Sequence, residues 1–157
     1  MTVVEKYIRD MAEFMKKFEN TSPNVAITGN MYEFLLKNGR AFDWKPRPKG
    51  VRKQRDGLCY MNAYRLANRN QDKYTYVEGI GIHYIPTEHA WCITEDGTVV
   101  DPTWHEDGKV TPEYFGVPLR MEWINKTLLR TSQYGVLWDW RSRYPILRDT
   151  KEEWRIK

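Results

Sequence analysis

Two short stretches of the chain contain the side chains that covalent acyl chemistry requires. The chain has only 3 His and 2 Cys. His89 opens the stretch HAWCITEDGTVVDPTW, Asp101 lies near its end, and Cys59 lies thirty residues before His89 in GLCYMNAYRLA. In contact, a thiol, an imidazole and a carboxylate supply a nucleophile, a base that carries its proton, and a group that fixes the tautomer of the base. We therefore predict Cys59, His89 and Asp101 as the candidate catalytic residues.

The setting of Cys59 supports a nucleophilic role. The apolar spacing of CYMNAYRLANR predicts a helix that begins at Cys59, and Gly57 before it admits a sharp entry. Unpaired amides and the macrodipole favour a thiolate at a helix N-terminus, and the same amides can bind an oxyanion. Cys59 as a small buried hydrophobe is the alternative, and a disulfide with Cys92 is a third, less favoured possibility.

The turn of the predicted hairpin decides whether His89 and Asp101 can meet. A two-residue loop at Asp96-Gly97 places Asp101 opposite Cys92, and the alternation of strand side chains then sends Asp101 to the face away from His89. A three-residue loop over 95–97, with Gly97 left-handed, pairs Trp91 with Asp101 and brings His89 and Asp101 to one face as diagonal neighbours. We favour the three-residue loop. Alternation along the strand directs Cys92 away from His89, which argues against a metal site built on these two residues, and we expect no metal.

Hydrophobic periodicity predicts a mixed set of helices and strands. Helices are expected over 2–19 and 30–38, the first ended by Thr21, Ser22 and Pro23 and the second capped by Asn30. We expect a loop over 40–55 and a strand over 73–85 in which Gly79 and Gly81 are weak points or bulges. The region 105–157 is left largely open, with a turn and a short element over 110–119, a strand favoured over 119–124, and three Trp packed outside the core. These three are Trp138, Trp140 and Trp154.

Length and charge limit the organisation of the chain. The 157 residues suit one domain over 1–157, with an N-terminal helical part over 1–40. No apolar run is long enough to span a membrane and no signal pattern is present, so we expect a cytoplasmic protein. The basic loop, residues 45–55, holds six of the 25 Lys and Arg and no acidic residue.

The order of these motifs resembles the core of the transglutaminase-like superfamily, whose members share a papain-like cysteine-peptidase fold. The likeness covers about residues 56–104: Gly57 and Cys59 match a G-x-C that opens a buried helix, Gly79 lies in the following strand, and the remaining matches are HAW and DPT. The HAW and DPT residues are His89, Ala90, Trp91, Asp101, Pro102 and Thr103. The chain looks like the small stand-alone members that bacteria or bacteriophages encode, and a phage-encoded protein of this type would lie in the host cytoplasm.

This resemblance implies an α+β fold in which the helix that starts at the catalytic Cys packs on an antiparallel sheet, preceded by extra N-terminal helices. It implies Cys59 as nucleophile, His89 as base and Asp101 as the residue that orients the base. Gln54 and Tyr76 are the candidates for oxyanion donor. The expected chemistry is cysteine-dependent acyl transfer or amide hydrolysis through a thioester, with no cofactor.

Substrate contacts are expected from residues near the three catalytic candidates. These residues are Trp91, Trp104, Arg52, Lys53 and Arg55. The expected substrate is a protein, a peptide or a small amide or ester, possibly acidic because the basic loop is close in sequence to Cys59. The alternative is a protein on the same scaffold that does not catalyse a reaction and contacts nucleic acid or a host macromolecule through the basic loop. Nucleic acid is the less favoured partner, and no membrane partner is expected.

Overall fold

The computed structural model describes residues 1–18, 20–21 and 23–157, and the side chains of these residues except 23–30. The described part is mixed α+β, and one antiparallel sheet has the strand order β1-β5-β2-β3-β4. Its strands are β1 (Arg40–Phe42), β2 (Thr75–Ile82), β3 (Pro86–Ile93), β4 (Val99–Val100) and β5 (Glu113–Leu119). The helices described are α1 (Val3–Lys16), α2 (Pro23–Asn38), α3 (Cys59–Arg69) and α4 (Met121–Thr131), with short 3-10 turns at Trp140–Ser142 and Pro145–Arg148.

The two faces of the sheet bury different kinds of side chain, because successive strand residues point to opposite sides. The helix face packs against α1, α2 and α3. Its buried strand residues include Tyr76, Ile80, Ala90, Cys92 and Val117. The other face, called the aromatic face below, is formed by Phe42, Val77, Trp91, Ile93, Val99 and Tyr114. His89 and Asp101 belong to the aromatic face, whereas α3 covers the helix face.

Glycines on the aromatic face make room for large rings rather than breaking the strands. Gly79 and Gly81 were expected as weak points or bulges, but β2 pairs with β3 and β5 without interruption through both. A Cβ on Gly81 would lie 2.4 Å from the Trp104 ring. A Cβ on Gly116 would lie 2.7 Å from the Trp91 ring. The absence of side chains at these positions lets the two indoles approach the backbone of the sheet closely.

Several predicted elements differ from the structure near their ends. α1 ends at Lys16, and Glu19 and Ser22 lie outside the described residues. α2 already begins at Pro23, so Asn30 lies within the helix and does not cap it. Pro suits the first helical position because its missing N–H would have no partner there. The expected loop over 40–55 begins with β1, which pairs with β5.

The region after Asp107 shows the largest departures. Residues 113–119 form a full strand, β5, in the interior of the sheet, although Pro118 lies within it. The strand favoured over 119–124 is wrong: the chain turns at Arg120 and continues as α4, which buries Ile124 and Thr127. Of the three tail Trp, Trp154 is buried in the main core, whereas Trp140 is 66% exposed.

No helix in the described ranges is both long enough and apolar enough to cross a bilayer.

Candidate active site

The hairpin between β3 and β4 has the three-residue loop that the sequence favoured. Cys92 pairs with Val100 and Ile93 with Val99, so the register places Thr94 opposite Thr98. The Thr94 amide donates to the Thr98 carbonyl at 3.0 Å. Gly97 closes the loop with a φ of +83°, the left-handed conformation that Gly adopts without a steric penalty. Continued by one pair, this register sets Asp101 beside Trp91, on the same face as His89.

The imidazole and the carboxylate meet as that register requires. His89 Nε2 lies 2.8 Å from Asp101 Oδ2, and both side chains are buried. The Tyr114 hydroxyl donates to the same Oδ2 at 2.9 Å. The other oxygen, Oδ1, accepts the amides of Thr103 at 2.7 Å and Trp104 at 3.2 Å. Both carboxylate oxygens are therefore held, and the carboxylate fixes His89 in one orientation.

Cys59 forms the third contact of the cluster. It is the first residue of α3, it is partly exposed, and it is a free thiol. Its thiol lies near enough to His89 to help raise the pKa of that imidazole. Because Nε2 of the imidazole is engaged by Asp101, Nδ1 is the nitrogen that remains for the thiol. The structure thus brings Cys59, His89 and Asp101 together in the order thiol, imidazole, carboxylate.

Two anchors hold the start of α3 at the edge of the sheet. The Asn62 amide donates to the Arg55 carbonyl at 2.9 Å and to Thr103 Oγ1 at 3.0 Å. At the next residue of α3, Cys92 Sγ donates to the Ala63 carbonyl at 3.3 Å. Asn62 therefore ties the helix to the segment that follows Asp101, so that the thiol and the carboxylate keep a common frame. Cys92 is a packing residue, and burial raises the pKa of its thiol.

The charges of this cluster stabilise one another. Burial lowers the pKa of His89, but the charge and hydrogen bond of Asp101, followed by the hydrogen bond with Cys59, outweigh burial and raise it to about 9. Burial raises the pKa of Asp101, but His89, the Thr103 amide and the Tyr114 hydroxyl hold it below its ordinary value. Around neutral pH His89 is therefore a buried imidazolium paired with a carboxylate.

Aromatic rings enclose the imidazole. Trp104 stacks on His89 with 3.9 Å between ring centroids and an interplanar angle of 10°. Trp91 and Tyr114 complete the enclosure, at 6.1 and 6.2 Å. Trp91 is fully buried, so its position supports packing rather than the predicted substrate contact. Trp104 is only partly buried and lines a cavity of about 140 Å³ beside Asp101.

The two predicted side-chain oxyanion donors are engaged elsewhere. The Tyr76 hydroxyl donates to Glu78 Oε1 at 2.6 Å, and Tyr76 lies on the helix face because it pairs with Cys92 rather than with Trp91. The Gln54 side chain is exposed and donates to the Arg52 carbonyl at 3.2 Å. The start of α3 offers backbone donors instead, because Leu58 at the N-cap contributes no capping side chain.

The basic loop and Asp43, just before it, are held along the hairpin. The Val99 amide donates to the Asp43 carbonyl at 2.9 Å, and the Gln54 amide donates to the Pro102 carbonyl at 2.6 Å. Arg47 is directed inward, where its Nη1 donates to the carbonyls of Asp101 and Trp104, each at 3.1 Å. Part of the positive charge in this loop therefore holds the Asp101 segment in place.

The three predicted substrate contacts from the basic loop have different surroundings. Lys53 forms an ion pair with Asp56 at 2.7 Å, which leaves it poorly placed for a ligand. Arg52 is exposed and lines a groove beside α3. The Arg55 side chain is exposed, while its carbonyl accepts from Asn62.

Sequence reasoning missed three residues that complete the site. Tyr114, Asn62 and Arg47 each form a hydrogen bond to the segment 101–104 over a long separation in sequence. Asn62 could have been predicted from the sequence, because it lies one helical turn from Cys59 on the same stripe of α3. For Tyr114 and Arg47 the only local signals were an aromatic two residues before Gly116 and an Arg within a Pro-rich loop.

Within the described ranges, no group of three or more His, Cys, Asp or Glu is arranged to hold a metal ion.

Comparisons of the chain with models of protein families, with curated proteins and with solved structures find no match.

Proposed function

We propose that this protein is a cysteine-dependent acyl transferase or amidohydrolase with a transglutaminase-like core of the papain-like fold. The observation that carries the proposal is the grouping of the partly exposed Cys59 thiol with the imidazole of His89, which lies 2.8 Å from the buried carboxylate of Asp101. A protein that only binds a partner has no need of a buried imidazolium held between a thiol and a carboxylate.

The reaction proceeds in two balanced steps. The thiolate of Cys59 attacks the carbonyl carbon of an amide, either a Gln side chain or a peptide bond, and a C–S bond forms. His89 gives its proton to the leaving nitrogen, the C–N bond breaks, and a thioester remains on Cys59. Neutral His89 then removes a proton from water or from a primary amine, which attacks the thioester and releases the thiolate. Water completes a hydrolysis, and an amine completes a transfer.

Each surrounding group has a function in this scheme. Asp101 keeps Nδ1 of His89 directed at Cys59 and stabilises the positive charge of the ring. The uncapped amides at the start of α3 are the donors for the oxyanion that develops on the carbonyl oxygen. Trp104 covers the imidazole and keeps water from its ion pair with Asp101.

The first experiment measures the reactivity of the two thiols by intact mass. Wild type, Cys59→Ala and His89→Gln are treated with iodoacetamide over a range of pH from mildly acidic to neutral. We expect rapid single labelling of the wild type, no rapid labelling of Cys59→Ala, and slow labelling of His89→Gln. Cys92 is the internal control because it is buried. Labelling of Cys59 no faster than a model thiol would contradict the proposal.

The second experiment tests for the covalent intermediate. Incubation with p-nitrophenyl acetate should add one acetyl group to the wild type and none to Cys59→Ala. Addition of methylamine then separates the two outcomes, since methylamide formation indicates transfer and acetate release indicates hydrolysis. A wild type that gains no acetyl group on Cys59 would overturn the catalytic function.

A further inference from the structure

An arginine groove runs along the side of α3 from the first turn after Cys59. It encloses about 320 Å³ and is lined by residues of the basic loop, of α3 and of the segment after Asp101. Its charged members are Arg52, Arg65 and Arg69, and no Asp or Glu is among the residues that line it. Val51, Leu66 and Pro102 give it an apolar floor. The groove is therefore amphipathic, with a formal charge of plus three.

The three guanidinium groups have no partner among the described residues. This distinguishes them from many other basic residues of the chain. Arg9 pairs with Glu5, Lys53 with Asp56, and Arg155 with Glu152. Like charges gathered around one concavity repel one another and raise the local concentration of anions. Three free Arg in one groove are thus arranged for an anionic ligand rather than for the stability of the fold.

The groove and the catalytic Cys lie on one side of the same helix. Cys59, Asn62, Leu66 and Arg69 follow one another at spacings of three, four and three residues, which places them along one stripe of α3. At about 1.5 Å per residue, Arg65 lies about 9 Å and Arg69 about 15 Å along the helix axis from Cys59. An extended peptide advances about 3.3 Å per residue. Such a peptide would therefore reach the two Arg about three to five residues from the group that reacts at Cys59.

We infer that the arginine groove binds an acidic peptide segment, and that this segment belongs to the substrate. The second half of this inference rests on the proposed function, whereas the first half does not. Arg presents a planar fork that matches the two oxygens of a carboxylate. The residues that line the groove include no Trp, Tyr, Phe or His on which bases could stack, which disfavours single-stranded nucleic acid. The preferred substrate thus carries Asp or Glu about three to five residues from the reacting amide.

The test measures binding apart from catalysis, in the Cys59→Ala background. The probe is a fluorescein-labelled peptide with one central Gln and Glu residues about three to five positions away on both sides. The matched peptide has Ser in place of each Glu, and a labelled oligo-dT strand is the third probe. The groove variant is Arg65→Gln with Arg69→Gln. The control variant, Lys17→Gln with Lys37→Gln, removes the same charge from exposed positions outside the groove.

We expect the acidic peptide to bind about tenfold more tightly than the Ser peptide. In the groove variant, we expect this preference for the acidic peptide to be lost. The control variant should stay within about twofold of its parent, and the affinity should fall as salt is added. Equal binding of the two peptides, no binding of either, or an unchanged affinity of the groove variant would each overturn the inference. Tighter binding of oligo-dT that depends on Arg65 and Arg69 would also overturn it.

A second readout separates this inference from the proposed function. If the acidic peptide binds Cys59→Ala but the wild type forms no acyl group on Cys59, the groove is confirmed as a binding site and the catalytic function is contradicted. If the acyl group forms while the two peptides bind equally, the catalytic function is supported and the binding of acidic peptides in the groove is contradicted. Where the wild type turns over the acidic peptide, moving the Glu residues beyond about eight positions should lower kcat/KM about tenfold.

Discussion

The imidazole of His89 and the indole of Trp104 lie face to face, 3.9 Å apart at their centroids and within 10° of parallel. Asp101 connects the two residues, because one of its oxygens contacts Nε2 of His89 and the other accepts the Trp104 amide. The carboxylate therefore orients the imidazole directly and also holds the ring that covers it. An indole face over an imidazolium is attractive as well as shielding.

Removing this indole should weaken the reactivity of Cys59. We expect Trp104→Ala to slow iodoacetamide labelling of Cys59 at mildly acidic pH by about tenfold, because His89 loses both an attractive face and a fixed plane. Trp104→Phe should retain most of the rate. The labelling rate of Gly81→Ala should lie between the rates of these two variants, since its added methyl would lie 2.4 Å from the Trp104 ring and displace it. The exposed Trp140, changed to Ala, is the control, and a wild-type rate in Trp104→Ala would refute a role for the stack.

Local patterns were sufficient for the parts of the site that are close in sequence. The helix from Cys59 and the register of the hairpin follow from apolar spacing and from one turn, and the structure confirms both. The three-residue loop matters most, because a register one residue different would have placed Asp101 on the opposite face from His89. A single left-handed Gly97 thus decides whether the base and its carboxylate can meet.

The parts that local patterns missed depend on distant contacts. β5 contains Gly116 and Pro118, which weaken the strand pattern, but β1 and β2 flank it on both sides. The segment after Arg120 shows no clear apolar period in the sequence. One of its apolar residues, Leu129, looks like a core residue but is 85% exposed on α4. Tertiary packing, not propensity, decides such segments.

The ion pair of His89 and Asp101 should make stability depend on pH in a predictable way. The pKa of His89 is raised to about 9, so its contribution is complete below its ordinary value and is lost as pH rises through about 9. The pKa of Asp101 is lowered, so its contribution is complete above its ordinary value and is lost as pH falls below it. Both contributions are therefore complete between about pH 4 and pH 6.5.

Chemical denaturation over pH tests this expectation by difference. The free energy of unfolding of the wild type should exceed that of His89→Gln, and the gap should shrink by on the order of 3 kcal/mol as pH rises from about 6.5 to beyond 9. His105→Gln is the control, because His105 is exposed in the loop after the hairpin. A gap that stays constant over this interval would show that His89 carries no raised pKa.

Arg47, a residue of the basic loop, should be required for the placement of Asp101. Its guanidinium donates to the Asp101 and Trp104 carbonyls, and Arg47→Met leaves both carbonyls without this donor. We expect a loss of about 1–3 kcal/mol in the free energy of unfolding and slower labelling of Cys59. Lys49→Met, an exposed change in the same loop, should alter neither quantity. Equal stability of the two variants would mean that Arg47 does not hold the segment.

A second buried carboxylate, Glu78, joins β2 to the chain after α4. It is fully buried on the helix face, where it accepts the Tyr76 hydroxyl and the amides of Val136 and Leu137 at 2.6–2.8 Å. Burial raises its pKa to about 7, although these three hydrogen bonds oppose the shift. Gly135, next to the two amides, packs against the ring of Tyr60 in the first turn of α3. Glu78 therefore supports the segment that lies beside the residue after Cys59.

Two substitutions separate the charge of Glu78 from its hydrogen bonds. A raised carboxyl pKa means that its contribution to stability is complete below about 4.5 and is lost as pH rises to about 7. Glu78→Gln keeps a carbonyl acceptor and removes the titration, so we expect its stability to be flatter than that of the wild type across this interval. Glu78→Ala leaves three donors unpaired and should cost on the order of 3–5 kcal/mol at any pH. Denaturation curves at pH 4.5 and pH 7.5 measure both effects. If the free energy of unfolding of Glu78→Gln falls as steeply as that of the wild type between these two pH values, a group other than Glu78 causes the pH dependence.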